Sequence, residues 1–350
     1  MRRWLIRIAV AIGLLALLAS LTTAALLYDG HRQLQQPLTL ASASTIEIAP
    51  GTRIRDAVLK LRSAGQLATL RQGLYLEAYA RLSGKAAGIK AGEYRLEPGL
   101  TAFQALDLWR SGKVIVYEWR IVEGTRFDAA IQQLMAHPQI RHTLTSTDPV
   151  QVMAAIGMPG RHPEGRLFPD TYQFPRDTTD VSVLRRAIEA MNRTLDAEWQ
   201  GRDADLPYTD AEQALVMASI VEKETGLASE RAEIAGVFVR RLRLGMRLQT
   251  DPTVIYGLGA AFDGNLRKRD LLAANPYNTY LNSGLPPTPI CLPGRAAIHA
   301  ALHPAPGNTL YFVARGDGSH QFSETFDEHD AAVSRYQLRR GSPAPGTSPP

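Results

Sequence analysis

The sequence of 350 residues holds a single cysteine, Cys291. That excludes an internal disulfide and most cysteine-based metal sites. No arginine-rich run with interleaved aromatics occurs, so a net charge of +5 is too diffuse to argue for nucleic acid. So mild a basic excess suits an anionic polymer or a membrane surface. There is no G-x-S-x-G elbow, no P-loop and no full dinucleotide fingerprint; GLGAAF from Gly257 lacks the third glycine. Serine nucleophile chemistry has no support, and no cofactor is expected. His299 and His303 stand four apart on an expected helix, a spacing that can grip a metal. No glutamate follows in the zinc-protease pattern and no third ligand is evident, so no metal site is expected.

What is present begins with an uncharged run from Ile8 to Tyr28, preceded by Arg2, Arg3 and Arg7. A helix needs roughly 20 apolar residues to cross a bilayer. Charge before the run and little after it places residues 1–7 in the cytoplasm and the chain after the span outside. A cleaved signal peptide with Thr23-Ala24-Ala25 as an imperfect cleavage site competes, but the apolar run of 8–28 is longer than a usual signal core. Residues 29–45 are polar and aperiodic and read as a tether. At 350 residues and 45% hydrophobic, the chain suffices for two or three lobes.

A strand–turn–helix pattern then recurs from Ile46, Tyr94 and Trp119, each with a Gly turn and a Thr suited to an N-cap. The fold class is α+β. Leu70 to Ser83 reads as a helix, residues 138–160 show no clear pattern, and Val181 to Trp199 is a strongly amphipathic helix. Between them Phe168, Tyr172 and Phe174 in PEGRLFPDTYQFP either pin a loop onto the core or offer a sugar-stacking surface. Later come a helix from Ser229 to Leu244, a turn-rich Met246 to Gly259, a proline-rich Pro276 to Gly294, two short strands and a last helix. The tail of residues 341–350 is low-complexity and expected to be disordered.

The stretch TDAEQALVMASIVEKETG, Thr209 to Gly226, reads as one helix carrying a carboxylate on its apolar side. Thr209 and Glu212 have capping-box spacing, and Gly226 is a stop. Ala214, Met217, Ala218, Ile220 and Val221 share an apolar arc, and Glu224 falls inside it. Ser219 and Lys223 mark the polar side. Glu224 also sits in the last turn, where the helix dipole disfavours negative charge. Both effects would raise its pKa, as a general acid near neutral pH requires; the bland alternative is a solvated acid on a frayed end. Gln249, Thr250, Asp251, Tyr256, Tyr277, Asn278 and Tyr280 supply the amides, hydroxyls and phenols that orient a sugar polymer. Glycosidases generally pair two carboxylates, and Asp251 is the one evident second acid, though a TDP context equally suits a turn. A lone Glu suffices if a hydroxyl of the substrate is the nucleophile.

ASIVEKET, GMRLQTDPTVIYG, YNTY, GLPPTPI, EGRLFPDTYQF, AGEYRLEPG and the LYFVA…H…F ending together resemble the YceG-like family of endolytic murein transglycosylases, over about residues 46–337. The resemblance implies a single-pass inner-membrane protein with a periplasmic LysM-like glycan-binding lobe at 46–118. A connecting α/β region at 119–208 and a catalytic region with a lysozyme-like helix at 209–340 would follow. It implies cleavage of the β-1,4 MurNAc–GlcNAc bond in nascent peptidoglycan glycan strands with a 1,6-anhydro end, ending strand growth beside peptidoglycan synthases (penicillin-binding proteins). Glu224 matches the family's catalytic acid, and Gln249 and Tyr277-Asn278 are similar to cleft elements of soluble relatives. Two alternatives stay open: a lysozyme-like hydrolase in which Asp251 positions water, and a non-catalytic peptidoglycan-binding scaffold for synthases.

Overall fold

The N-terminal helix does not stop where its apolar residues do. In the computed structural model, which describes residues 2–338, α1 runs over Arg2–Gln35. It is long and apolar enough to cross a membrane, and none of its apolar window is buried against protein. Its last turns carry Gly30, Gln33 and Leu34 into a folded core. The expected tether over 29–45 is thus corrected. Leu34 and Leu38 are buried, and the Leu38 N–H donates to the Leu100 carbonyl at 2.7 Å. Backbone carbonyls there are taken by protein groups: Gln72 donates to the carbonyls of Gln33 and Gln36 at 3.2 and 2.9 Å. The tail expected to be disordered, 341–350, lies outside the described residues.

Two compact units follow, one of residues 2–117 with Phe174–Arg176, the other of residues 118–173 and 177–338. The first holds β1 (Ser44–Ile48), α2 (Ile54–Ser63), α3 (Leu70–Leu82), β2 (Gly92–Leu96) and α4 (Ala102–Ser111). β1 and β2 pair antiparallel, Ser44 opposite Leu96 and Ile48 opposite Gly92. Strand alternation sends Ile46, Ile48, Tyr94 and Leu96 inward against Leu61, Leu76, Leu106 and Trp109 of the helices. Thr101 caps α4 in a full capping box with Gln104. Thr52 does not play that part for α2, whose cap position is Arg53. Only glycine fits at 92, where φ is +142° and a Cβ would lie 2.3 Å from Val114 Cγ1.

β3 (Val116–Arg120), α5 (Phe127–Met135), α6 (Pro149–Ala155) and β4 (Thr171–Pro175) come next, and β3 pairs with β4. α6 lies in the stretch without a clear sequence pattern; Asp148 caps it by accepting the Gln151 N–H at 3.0 Å. Tyr172 and Phe174 are buried and Phe168 packs on the core, so these aromatics pin their loop rather than present a stacking surface. α7 (Asp180–Gln200) buries Val183, Leu184, Ala187, Ile188, Met191 and Leu195 as its spacing requires.

The second unit continues with α8 (Ala211–Glu224), α9 (Arg231–Arg243), α10 (Asp251–Leu258), α11 (Lys268–Leu271) and α12 (Arg295–Leu302). A hairpin of β5 (Tyr311–Ala314) and β6 (His320–Ser323), then α13 (Phe326–Val333), complete it. α8 packs against α7, α9, α10 and α12, and every residue from Ala214 to Val221 is buried. A helix buried on all sides is a core helix, not an amphipathic one. That corrects Ser219, expected on a polar side: its hydroxyl donates to the Val216 carbonyl at 2.7 Å and accepts the Ile290 N–H at 2.9 Å. The segment expected to be turn-rich contains α10 instead, with Pro252 in the first turn, where a missing N–H costs no hydrogen bond.

Candidate active site

α8 is capped by Asp210, which accepts the Gln213 N–H at 2.9 Å, while the Gln213 side chain accepts the Thr209 N–H at 3.0 Å. The cap is therefore one residue later than Thr209. Glu212 is not available to complete it, because Arg166 grips both of its carboxylate oxygens. At the far end Thr225 is extended, so the helix stops at Glu224, ahead of Gly226. This ending turns Glu224 out of the core helix into a cleft of about 510 Å³.

Glu224 is partly buried and accepts a short hydrogen bond from the Thr250 hydroxyl. Burial pushes its carboxyl up to about 7, and nearby Asp251 adds to the rise. The Thr250 hydrogen bond, His320 and Arg241 pull the other way and lose. An acid that keeps its proton near neutral pH and faces an open cleft can protonate a bridging oxygen and then, as carboxylate, remove a proton.

The wall opposite is built at the start of α10. Gln249 holds a left-handed backbone (φ 53°), and its N–H donates to the Thr279 carbonyl at 3.2 Å. Such a conformation costs a non-glycine residue about 1–2 kcal/mol. Thr250 is fixed in turn by the hydroxyl of Thr279, which accepts its N–H at 3.0 Å and lies 2.9 Å from the Thr253 hydroxyl. Asp251 accepts the Tyr280 hydroxyl at 2.6 Å, so both reach the cleft as a pair. Of the expected substrate-binding residues, Gln249, Thr250, Asp251 and Tyr280 line the cleft with Glu224.

Tyr256, Tyr277 and Asn278 are placed elsewhere. Asn278 is fully buried; its amide donates to the Leu271 and Ala273 carbonyls at 3.0 and 2.9 Å, and its oxygen accepts the Tyr280 N–H at 3.0 Å. It can hold Tyr280 in position but cannot touch a ligand. The rings of Tyr256 and Tyr277 lie 4.8 Å apart, with the Arg126 guanidinium 4.8 Å over Tyr256. Tyr256 hydrogen-bonds Glu164, a second buried carboxyl pushed up to about 7 by burial. Glu164 accepts the Phe127 N–H at 2.9 Å at the start of α5.

α7 brings a third metal-capable group, Glu198, to the histidine pair at the end of α12. Glu198, His299 and His303 present ligand atoms within 4.8 Å of one another, so the sequence missed Glu198. Each is already engaged: Glu198 by Arg295 at 3.0 Å and His299 at 2.8 Å, His303 by Asp203 at 2.8 Å. These partners satisfy the cluster, and none of its residues lines the Glu224 cleft.

A model of the YceG-like family matches residues 46–335. The chain belongs to this family. A Bacillus subtilis (strain 168) protein named endolytic murein transglycosylase is 31% identical over 324 residues, with 87% of this chain and 88% of the relative covered. A Streptococcus pneumoniae (strain D39) protein of the same name is 26% identical over 326 residues, with 83% of this chain covered and 58% of that longer relative. The crystal structure of a yceG-like protein from Listeria monocytogenes matches with a TM-score of 0.52 and 28% identity, covering 83% of this chain and 99% of the other.

Around the acid of this YceG-like chain stand groups that the sequence pattern did not single out. Arg241, buried, donates to the Leu310 and Leu248 carbonyls, both at 2.7 Å, and lies 5.2 Å from the Tyr311 ring centre. His320 is held by Glu230, which accepts its backbone N–H at 2.9 Å and pairs with Nδ1 at 2.7 Å. So held, the imidazole of His320 lines the cleft beside Glu224. His329 stacks on Tyr311 at 5.3 Å, and burial holds its imidazole below the ordinary value. An arginine within RRLR reads as surface charge until α9 turns it inward. The cue that could have found it is its place one turn after Val237 and Phe238 on the buried face.

Proposed function

We propose that this protein is an endolytic peptidoglycan transglycosylase with Glu224 as acid and then base. The observation that carries the reading is a single carboxyl, raised to about 7, opening from a core helix into a cleft. The names of the relatives support peptidoglycan as the substrate. Glu224 gives its proton to the oxygen of the β-1,4 bond between N-acetylmuramic acid and N-acetylglucosamine; the C1–O bond breaks and the departing sugar leaves with a 4-hydroxyl. The Glu224 carboxylate then takes the proton of the C6 hydroxyl as O6 closes on C1. A 1,6-anhydro end results, no water is consumed, and the enzyme returns to its protonated form.

Gln249, Thr250, Asp251 and Tyr280 are the groups offered to the sugar. Asn278 acts behind Tyr280, and Tyr256, packed on Tyr277, braces the second carboxyl. The strand–helix–helix–strand order of β1, α2, α3 and β2 supports a LysM-like glycan-binding lobe. α8, buried and ending on the acid, supports a lysozyme-like catalytic helix. α1 would anchor the chain once in the inner membrane, with both units periplasmic, where cutting nascent strands beside penicillin-binding synthases would terminate their growth.

Full-length protein in detergent, given purified peptidoglycan, tests this by product mass. Ends lighter by one water than hydrolysed ends, lost with Glu224→Gln, are the expected result. Hydrolysed ends would move the chemistry to water held by Asp251. Binding of glycan without new ends would leave a scaffold.

A further inference from the structure

The outward face of α3 is apolar where a solvent-facing helix should be polar. Leu70, Leu74 and Leu82 are 62%, 68% and 90% exposed. With Ala78, also exposed, they stand four residues apart and share one side of the helix. The inward side is supplied by Gln72, Leu76 and Ala80, all fully buried, so the three leucines contribute nothing to the core of their own unit.

The direction of that face is set by the contacts between α3 and the end of α1. Thr69 and Gln72 bond to Gln33 and Gln36 at 2.6–3.2 Å. The Tyr75 hydroxyl, one turn past Gln72's level, donates to Asp29 at 3.0 Å, and Arg71 reaches the same carboxylate at 3.1 Å. Gly30 sits so close that a Cβ there would be 2.9 Å from the Tyr75 ring. Residue numbers rise along α3 while they fall along α1, so the two helices run antiparallel at this contact. Past Tyr75, α3 therefore heads back toward the apolar part of α1, whose Leu27 and Tyr28 are 70% and 71% exposed. Leu82 lies about two turns beyond Tyr75, or roughly 10 Å of helix. A helix lying in a bilayer interface sinks its apolar face about 5–10 Å.

We propose that α3 rests on the bilayer that α1 crosses, with Leu74 and Leu82 entering the boundary between headgroups and acyl chains and Leu70 at its outer edge. The occupant of the face is lipid, because α3 runs back alongside α1 from Asp29 and so carries Leu82 nearer than Leu70 to the level of the apolar span. The proposal rests on reading α1 as a membrane span. The first unit then has two attachments to the membrane, a helix through it and the C-terminal end of a second helix dipping into its surface.

Cys291 is buried, so one added cysteine can be labelled selectively in the full-length protein. A fluorescent label is placed in turn at Leu70→Cys, Leu74→Cys, Leu82→Cys and, in the middle of α1, Leu17→Cys. Each protein is reconstituted in phosphatidylcholine–phosphatidylglycerol vesicles and quenched with iodide from water or with a shallow nitroxide lipid. The expected result is severalfold protection from iodide at positions 74 and 82, weaker protection at 70, and strong quenching of 74 and 82 by the nitroxide lipid. If Leu17→Cys is protected while 74 and 82 are as open to iodide as free label, α3 stands in water and the proposal is overturned. If Leu17→Cys is itself open to iodide, the span fails and the proposal falls with it. Unchanged thermal melts of the labelled variants confirm that each reading comes from folded protein.

Discussion

Glu224 and Glu164 are two carboxyls of the same unit, both pushed up to about 7, and burial is the largest cause for each. They differ in what surrounds the oxygens. Glu164 is sealed: it accepts the Phe127 N–H, is braced by Tyr256, and is only 3% exposed. Glu224 is held from one side by Thr250 and open to the cleft on the other. A raised pKa marks desolvation and does not by itself mark chemistry; the open side does.

The comparison is broken most directly by removing each acid. Glu224→Gln is expected to cut glycan cleavage by about 10²–10⁴-fold while the protein stays folded, read as new chain ends per hour. Comparable cleavage by this variant would end the assignment. Glu164→Ala should do the reverse, costing about 2–3 kcal/mol in a denaturant melt through the lost partner of Phe127 N–H, with cleavage per folded molecule within a few-fold of wild type. If Glu164→Ala were stable but inactive, the sealed acid would be the one that matters.

Stability against pH sharpens the same contrast. Each acid has a folded-state pKa above its ordinary value of 4.5, so between about 4.5 and 7 the folded chain keeps protons that the unfolded chain has released. Stability from these groups is fully present below pH 4.5 and is lost as pH rises through about 7. Glu224→Gln should therefore stabilise the protein by about 1–2 kcal/mol at pH 8 and by almost nothing at pH 4. Equal effects at both pH values would mean that Glu224 is not desolvated. The smallest effect is expected from Thr250→Val. Its hydroxyl stabilises the charged carboxylate, so losing it should move the alkaline fall in cleavage upward by about half to one pH unit. A downward move would reverse the role given to that hydrogen bond.

Much of the scaffold is legible in local pattern. The strand–turn–helix units and α7 follow from alternation and helical spacing, and the place of Glu224 in the last turn of α8 is also legible there. The rest needed three dimensions. Ser219 looks polar until the Ile290 backbone comes to meet it, and Arg241 looks like surface charge until the carbonyls of Leu248 and the distant Leu310 take its N–H groups. Tyr256, Tyr277 and Asn278 have chemistry suited to sugar, yet their partners are protein, which no spacing reveals. His320 reaches the cleft because a hairpin pairs it with Ala314 and Glu230 fixes its ring. The stretch 29–45 read as linker because its hydrogen-bond partners lie in α3 and ahead of α4.

That last correction changes what the first unit can reach. A floppy leash over 29–45 would let it wander roughly 20–25 Å from its root. A helix that passes unbroken into the core has no slack, and with α1 crossing the bilayer as proposed it is a mast that sets one height and one compass bearing for the first unit. Lengthening the mast by a full turn would raise the lobe by about 5 Å without rotating it much, whereas adding two residues would swing it to face another way.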